Sequence, residues 1–276
     1  MDRLYRDGEP FPFGLTFVPT EALAPLAADE HRPALALVRA ALALGASFAF
    51  IPSAEPWADE AAAALSEEDV APIFSVSGPL WPIIRVRGIV EGLRATLTRP
   101  EEIGEELDAA LGVLLAEVER AVASGARALV LAEDLAGTHG PLVAPDFAIG
   151  ELVPRYERIV RVARALGLPT VFHSDGDIRP LLPALARAGF VALHAGGGLS
   201  FGGFERVFWA ARAEGLAVMG GLVTAELANP ARAETLGSKA GVLAHAGGLL
   251  LSDDGGITSA SEVASLVTAL AAARYT

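Results

Sequence analysis

The sequence predicts an α/β fold in which eight parallel strands close into one (β/α)8 barrel, with a helical insertion after the third strand. Three observations carry this expectation. Short, continuously apolar, β-prone runs recur eight times in 276 residues. Ala/Leu/Glu/Arg stretches with helical spacing lie between them, and alternation of this kind marks βαβ units around a parallel sheet. Glycines close the helical stretches: Gly125, Gly167, Gly189 and Gly215 each come one to three residues after one. A left-handed C-terminal cap wants glycine there.

In chain order, the strands are expected at Phe13–Val18, Ser47–Pro52, Ala71–Val76, Ala128–Leu131, Thr170–His173, Val191–His194, Ala217–Gly220 and Leu249–Ser252. None alternates apolar with polar residues, as suits strands covered on both faces. Helices are expected at Ala34–Leu44, Pro100–Ala123, Phe147–Leu166, Ile178–Ala188, Phe204–Glu214 and Ser259–Ala273. Pro100 followed by Glu101 and Glu102 reads as a helix first turn, with proline at the start and acids at the positive end of the dipole. The widest gap, Ser77 to Arg127, holds two helices, one near Val86–Leu97 and one after Pro100. A doubly wound open sheet is the competing topology, but no G-x-G-x-x-G follows the first strand. No Gly/Ser- or Pro-rich linker interrupts the chain, so residues 1–276 are expected to form a single TIM-barrel domain.

Composition narrows the function. With 21 Lys+Arg against 34 Asp+Glu the formal net charge is −13, and Lys239 is the sole lysine. An acidic chain does not offer the clustered cations that nucleic acid requires. The absence of cysteine removes disulfides, thiolate catalysis, Cys-ligated zinc and iron–sulfur clusters. Apolar stretches are broken well short of the ~20 residues of a spanning helix, and the charged start Met1–Asp7 lacks a signal-peptide core. A cytoplasmic protein without membrane contact is the expectation.

Barrel chemistry sits at the C-terminal ends of the strands. There the sequence places Ser53 and Glu55, Ser75 and Ser77, Glu133 and Asp134 with His139 beyond them, His173-Ser174-Asp175-Gly176-Asp177, His194 followed by Gly196-Gly197-Gly198, Met219-Gly220-Gly221, and Asp253-Asp254. The opposite rim is almost free of acids and histidines. His173 and Asp175 are two apart at a strand end and so share a face. They could converge on one ion, with Asp254 or Asp253 as third ligand. A histidine with carboxylates suits zinc or another divalent transition metal. Alternatively, Asp175 and Asp177 shape the turn and cap the helix near Ile178. Glu133 and Asp134 are candidate general acid and base, one of the two facing inward. His194 is a proton donor or substrate anchor. Ser77, His139, Ser174, Gly197 and Met219 are candidate substrate contacts. The triple glycine could admit an anionic group to backbone amides. His31 reads as solvated and His245 as lying on the stability face.

The stretch from Glu133 to Gly189 also resembles a known family. An acid precedes Gly140-Pro141, and Ala144-Pro145-Asp146 starts a helix. Then come Pro154-x-Tyr156-x-x-Ile159 and His173-Ser174-x-Gly176, leading into Leu181-Leu182-x-x-Leu185 and Gly189. These features are similar to the uroporphyrinogen decarboxylase superfamily, which also holds cobalamin-dependent methyltransferases, and the match covers Leu129–Gly197. The resemblance implies a (β/α)8 barrel. Its methyltransferase branch implies zinc on a His-x-Cys pair after strand five and a cysteine near strand eight. Those positions are His173 and Asp175 here, with Asp254 or Gly255 near the third, so carboxylates replace thiolates and the site is harder. Its decarboxylase branch implies an N-terminal arginine motif and an Asp after an early strand. Arg3 and Arg6 lack that context, and strand two ends in Pro52-Ser53.

Three functions are expected on these grounds. The first is a metal-assisted methyltransferase acting between a small methylated compound and a corrinoid on a partner protein, with His173, Asp175 and Asp254 as ligands. The second is a cofactor-free decarboxylase acting on a tetrapyrrole or smaller acid through Asp134 and His194. The third is a barrel that binds a tetrapyrrole or corrinoid without chemistry. A homodimer is one assembly open to the chain, whose oligomeric state the sequence does not fix.

Overall fold

The computed structural model describes residues 12–19, 21–27 and 30–274. Arg3 and Arg6 lie outside the described residues. Eight parallel strands close on themselves: β1 (Phe13–Leu15), β2 (Phe48–Pro52), β3 (Ala71–Ser77), β4 (Ala128–Ala132), β5 (Thr170–His173), β6 (Ala192–His194), β7 (Ala217–Leu222) and β8 (Leu249–Asp253). Each pairs with the next, and β8 returns to β1 with Phe13 opposite Leu251. The first strand stops at Leu15, short of the expected Val18, and the seventh runs on to Leu222.

Side-chain alternation divides each strand between two cores. Phe48 and Phe50, Ile73, Val130, Val171, Ala192, Ala217 and Met219 fill the barrel interior. Their neighbours, among them Phe74, Leu129, Leu131, Phe172, Leu193 and Val218, pack outward beneath the helices. Strands buried on both faces need apolar residues at every position, which is why the runs read as continuous.

The surrounding helices include α1 (Pro33–Leu44), α2 (Ala58–Glu67), α3 (Leu80–Arg87), α4 (Ile89–Thr98), α5 (Pro100–Ala123), α6 (Val153–Ala165), α7 (Leu182–Ala188), α8 (Phe201–Ala213), α9 (Ala233–His245) and α10 (Ala260–Arg274). Gly125, Gly167, Gly189 and Gly215 all take positive φ, between 80° and 97°, as helix-ending glycines should. Among the described residues no helix is long and apolar enough to cross a membrane.

The insertion after β3 holds three helices, not the two expected. A single helix over Val86–Leu97 is interrupted at Gly88, whose φ of +82° ends α3 and starts α4. Arg87 then pairs with Glu102 and Glu106 of α5, tying α3 to the long helix. The expected helix Phe147–Leu166 is also divided: a short turn, Pro145–Phe147, passes through a wide π turn, Ala148–Leu152, into α6. A small antiparallel pair, Ala136–Gly137 with Gly140–Pro141, precedes it and was not expected.

Candidate functional site

The strand ends that carry chemistry lie in adjacent registers. Ala132 of β4 is level with His173 of β5, and His173 with His194 of β6. Counting two residues on from Ala132 and from His173 along the inward face gives Asp134 and Asp175. The alternation that points Val130, Val171 and Ala192 into the barrel thus points Asp134, His173, Asp175 and His194 into its mouth.

Two imidazoles stand side by side there, both buried: His173 is 7% exposed and His194 0%. His194 Nε2 lies 3.0 Å from the carbonyl oxygen of Asp253. A carbonyl oxygen only accepts, so this nitrogen carries the proton. Burial lowers the His194 pKa to about 4 and holds His173 well below the ordinary value. Both rings are therefore neutral, and His194 Nδ1 is an acceptor. It lies 2.7 Å from His173 Nδ1, which must then donate. What remains on His173 is a lone pair at Nε2, 3.5 Å from Asp134 Oδ1 and 3.9 Å from Asp175 Oδ1.

Three potential ligand atoms thus face one another within 4.8 Å. Burial raises both carboxyl pKa values, that of Asp175 to about 7, where the neighbouring charges of Asp134 and Asp254 add to the effect. A divalent cation satisfies all three donors and relieves that repulsion. The fit to one imidazole and two carboxylates is that of a borderline-hard ion such as Zn²⁺, Mn²⁺ or Fe²⁺. A backbone carbonyl and a second imidazole set the tautomer of His173, the kind of supporting hydrogen bonding usual for metal-bound histidine.

The donors form the floor of a cavity of about 530 Å³. Phe17 lies at its edge, its ring centroid 4.9 Å from that of His173 and tilted 53° to it. Trp81 and Pro82 of α3 and Val113, Leu114 and Glu117 of α5 form the facing wall, while Ser53, Ser75 and Ser77 add hydroxyls. No lysine or arginine is among the lining residues.

The third donor differs from the expectation. Asp254 is committed elsewhere: its carboxylate accepts from the Thr224 amide at 2.9 Å, the Thr224 hydroxyl and the Gly256 amide at 3.1 Å. Asp253 is likewise occupied by Thr16 and Gly255. Asp134, expected as a free acid or base, takes the third position. Glu133 points the other way. It is 1% exposed, outside the cavity lining, and accepts from the Leu80 and Trp81 amides at 3.1 and 2.8 Å and the Tyr156 hydroxyl at 3.2 Å. It holds the start of α3, and with it Trp81, although burial pushes its pKa up to about 8.

Of the candidate substrate contacts, Ser77 lines the cavity. His139 is exposed at the tip of the small hairpin. Ser174 is buried and accepts from the Leu135 amide at 3.0 Å, joining two loops. Met219 belongs to the barrel interior. Gly197 packs on Asp175, where an added Cβ would lie 1.9 Å from Oδ1. Asp177 pairs with Arg179 at 2.7 Å and caps that turn. Sequence reasoning did not single out Phe17, Trp81 and Glu117. Their one signal was position, since an acid beside Leu114 and Val118 sits on the seam of an otherwise amphipathic helix.

No family model matches the chain, and no curated protein matches it by sequence. Solved structures match throughout its length. A methyltransferase from Methanosarcina mazei has a TM-score of 0.72 at 16% identity, over 97% of this chain and 94% of that one. An endo-β-1,4-xylanase from Gloeophyllum trabeum has 0.58 at 13%, over 98% and 99%. Deoxyribose phosphate aldolase from Aeropyrum pernix has 0.51 at 15%, over 91% and 86%. At such identities the shared property is the barrel, a fold that hosts many unrelated chemistries. The chain is thus a (β/α)8 barrel whose distinguishing feature is its own mouth.

Proposed function

We propose that this barrel is a metal-assisted methyltransferase that moves a methyl group between a small methylated substrate and a corrinoid presented by a partner protein. The carrying observation is the Nε2 lone pair of His173, fixed by the His194–Asp253 relay and aimed at Asp134 and Asp175. The choice of methyl transfer rests on the resemblance of the Leu129–Gly197 stretch to the methyltransferase branch, in which His173 and Asp175 fall at the metal-site positions.

A divalent ion held by Asp134, His173 and Asp175 supplies Lewis acidity to the substrate heteroatom that carries the methyl group. The chain's own residues do the rest. His194 keeps His173 in its coordinating tautomer. Glu133 fixes α3, and so places Trp81 over the cavity. Phe17, Trp81 and Val113 give the substrate an apolar envelope. A cavity of about 530 Å³ takes a small molecule, so the corrinoid is assigned to the partner. A polyanionic tetrapyrrole is disfavoured, because the lining offers three carboxylates and no cationic side chain to meet it.

The test is turnover of zinc-reconstituted protein with O-, S- and N-methylated small molecules and cob(I)alamin, monitoring methylcobalamin by absorbance. Formation that chelation and His173→Ala both abolish supports the reading. Metal-independent release of CO₂ from a carboxylic acid would replace it with the lyase.

A further inference from the structure

We propose that the cavity selects a small organic monocation, with Glu117 as counter-ion and Trp81 as the aromatic face against its head group. The inference deepens the methyltransferase reading by naming a substrate class, and relies on that reading only for the ion on the cavity floor.

The charges facing the cavity define what enters it. Among the described residues, Asp134, Asp175 and Glu117 are the acidic side chains that line it, and no lysine or arginine does. His173 Nδ1 is engaged by His194, whose Nε2 donates to the Asp253 carbonyl, so Nε2 is the His173 nitrogen on the cavity side. A divalent ion on Asp134, His173 and Asp175 would leave Glu117 as the one lining acid it does not engage. Without the ion the acidic excess is larger. An anionic substrate meets repulsion in either state, and a monocation is matched in the loaded one.

Glu117 is held for this role. Its Oε2 accepts from the Ser53 hydroxyl at 2.9 Å, and Ser53 is buried. Arg120, one turn along α5, would be the obvious intramolecular partner. Instead its guanidinium donates to the Ser53 carbonyl and lies 3.6 Å from Asp59. The carboxylate therefore keeps capacity toward the cavity. Trp81 lines the same cavity from α3, and an indole face attracts weakly hydrated, alkylated ammonium groups. The floor of the same space carries His173 Nε2, on a residue only 7% exposed and, among the described residues, without a hydrogen-bond partner at that atom. The substrate therefore has two ends, an alkylammonium head at Glu117 and Trp81 and a Lewis-basic heteroatom at the floor.

The experiment is isothermal titration of zinc-loaded protein with choline and with 3,3-dimethylbutan-1-ol, its neutral isostere, measuring zinc content in every sample and repeating both titrations on the metal-free protein. Choline should bind about tenfold tighter than the isostere, the ratio expected for a partly desolvated cation–carboxylate and cation–π contact. Glu117→Gln should abolish that preference with zinc content unchanged. Trp81→Leu, which leaves Glu117 in place, should reduce it. Equal binding of the two probes, no binding of choline, or an unchanged preference in Glu117→Gln would overturn the proposal. Loss of zinc from the wild type would defeat the metal reading alone, because the preference is also read without metal.

Discussion

His194 is the residue whose replacement should separate a metal centre from a fortuitous cluster. In His194→Leu the buried Asp253 carbonyl keeps the Ser252 hydroxyl as donor, but His173 Nδ1–H loses its acceptor. An unsatisfied buried group costs about 1–3 kcal/mol, so the variant should lose about that much folding stability. The effect on metal is more diagnostic. Freed from the relay, His173 can carry its proton on Nε2, where Asp134 and Asp175 accept it, and the lone pair no longer faces the floor. Loss of such a supporting partner typically weakens metal binding 10–100-fold. His194→Gln restores one donor and one acceptor and should recover most of both losses. Chelator-competition titration gives the affinity, and urea melts give the stability. Wild-type zinc affinity in a folded His194→Leu protein would refute the relay argument.

Three further outcomes are expected. Gly197→Ala should displace the Asp175 carboxylate, since its Cβ would sit 1.9 Å from Oδ1. Zinc affinity should fall by at least tenfold while Tm changes little, and unchanged affinity would show that Asp175 is not a ligand. Asp254→Asn should cost about 1–3 kcal/mol through Thr224 and Gly256 yet leave zinc stoichiometry intact; loss of zinc would make Asp254 a ligand after all. The third outcome concerns pH. His194 has a folded pKa of about 4 against an ordinary value near 6.5. Below pH 6.5 the unfolded chain takes up a proton that the folded chain refuses, so this group removes stability as pH falls, about 3 kcal/mol by pH 4. The buried carboxyls, raised in pKa, act in the opposite sense. Urea melts of metal-free wild type minus those of His194→Gln isolate the histidine, and a difference that is flat between pH 7 and 4 would contradict its buried, neutral state.

Much of the architecture was legible because a parallel barrel writes itself locally. Double-sided burial makes the strands continuously apolar, and helix ends require glycine, so both signals survive without tertiary knowledge. His173 and Asp175 were legible for a similar reason, since spacing of two on a strand settles their common face. The third donor was not. Asp134 and Asp254 both come after strands, and the choice between them depends on Thr224, thirty residues from Asp254 in the chain, engaging one carboxylate and leaving the other. Parity along β4, once Val130 and Ala132 are known to point inward, separates Asp134 from Glu133; the sequence alone did not supply that phase. Glu117 and Trp81 were hidden because they reach the cavity from the insertion. Its three-helix path turns on Gly88 and on the pairing of Arg87 with Glu102 and Glu106, which periodicity does not reveal.

The most direct test of the central claim is elemental analysis by inductively coupled plasma mass spectrometry after zinc reconstitution and removal of loose metal. Wild type should retain close to one equivalent, His173→Ala close to none, and Asp254→Asn the wild-type amount. Absence of bound metal in the wild type, or full retention in His173→Ala, would contradict a centre built on Asp134, His173 and Asp175.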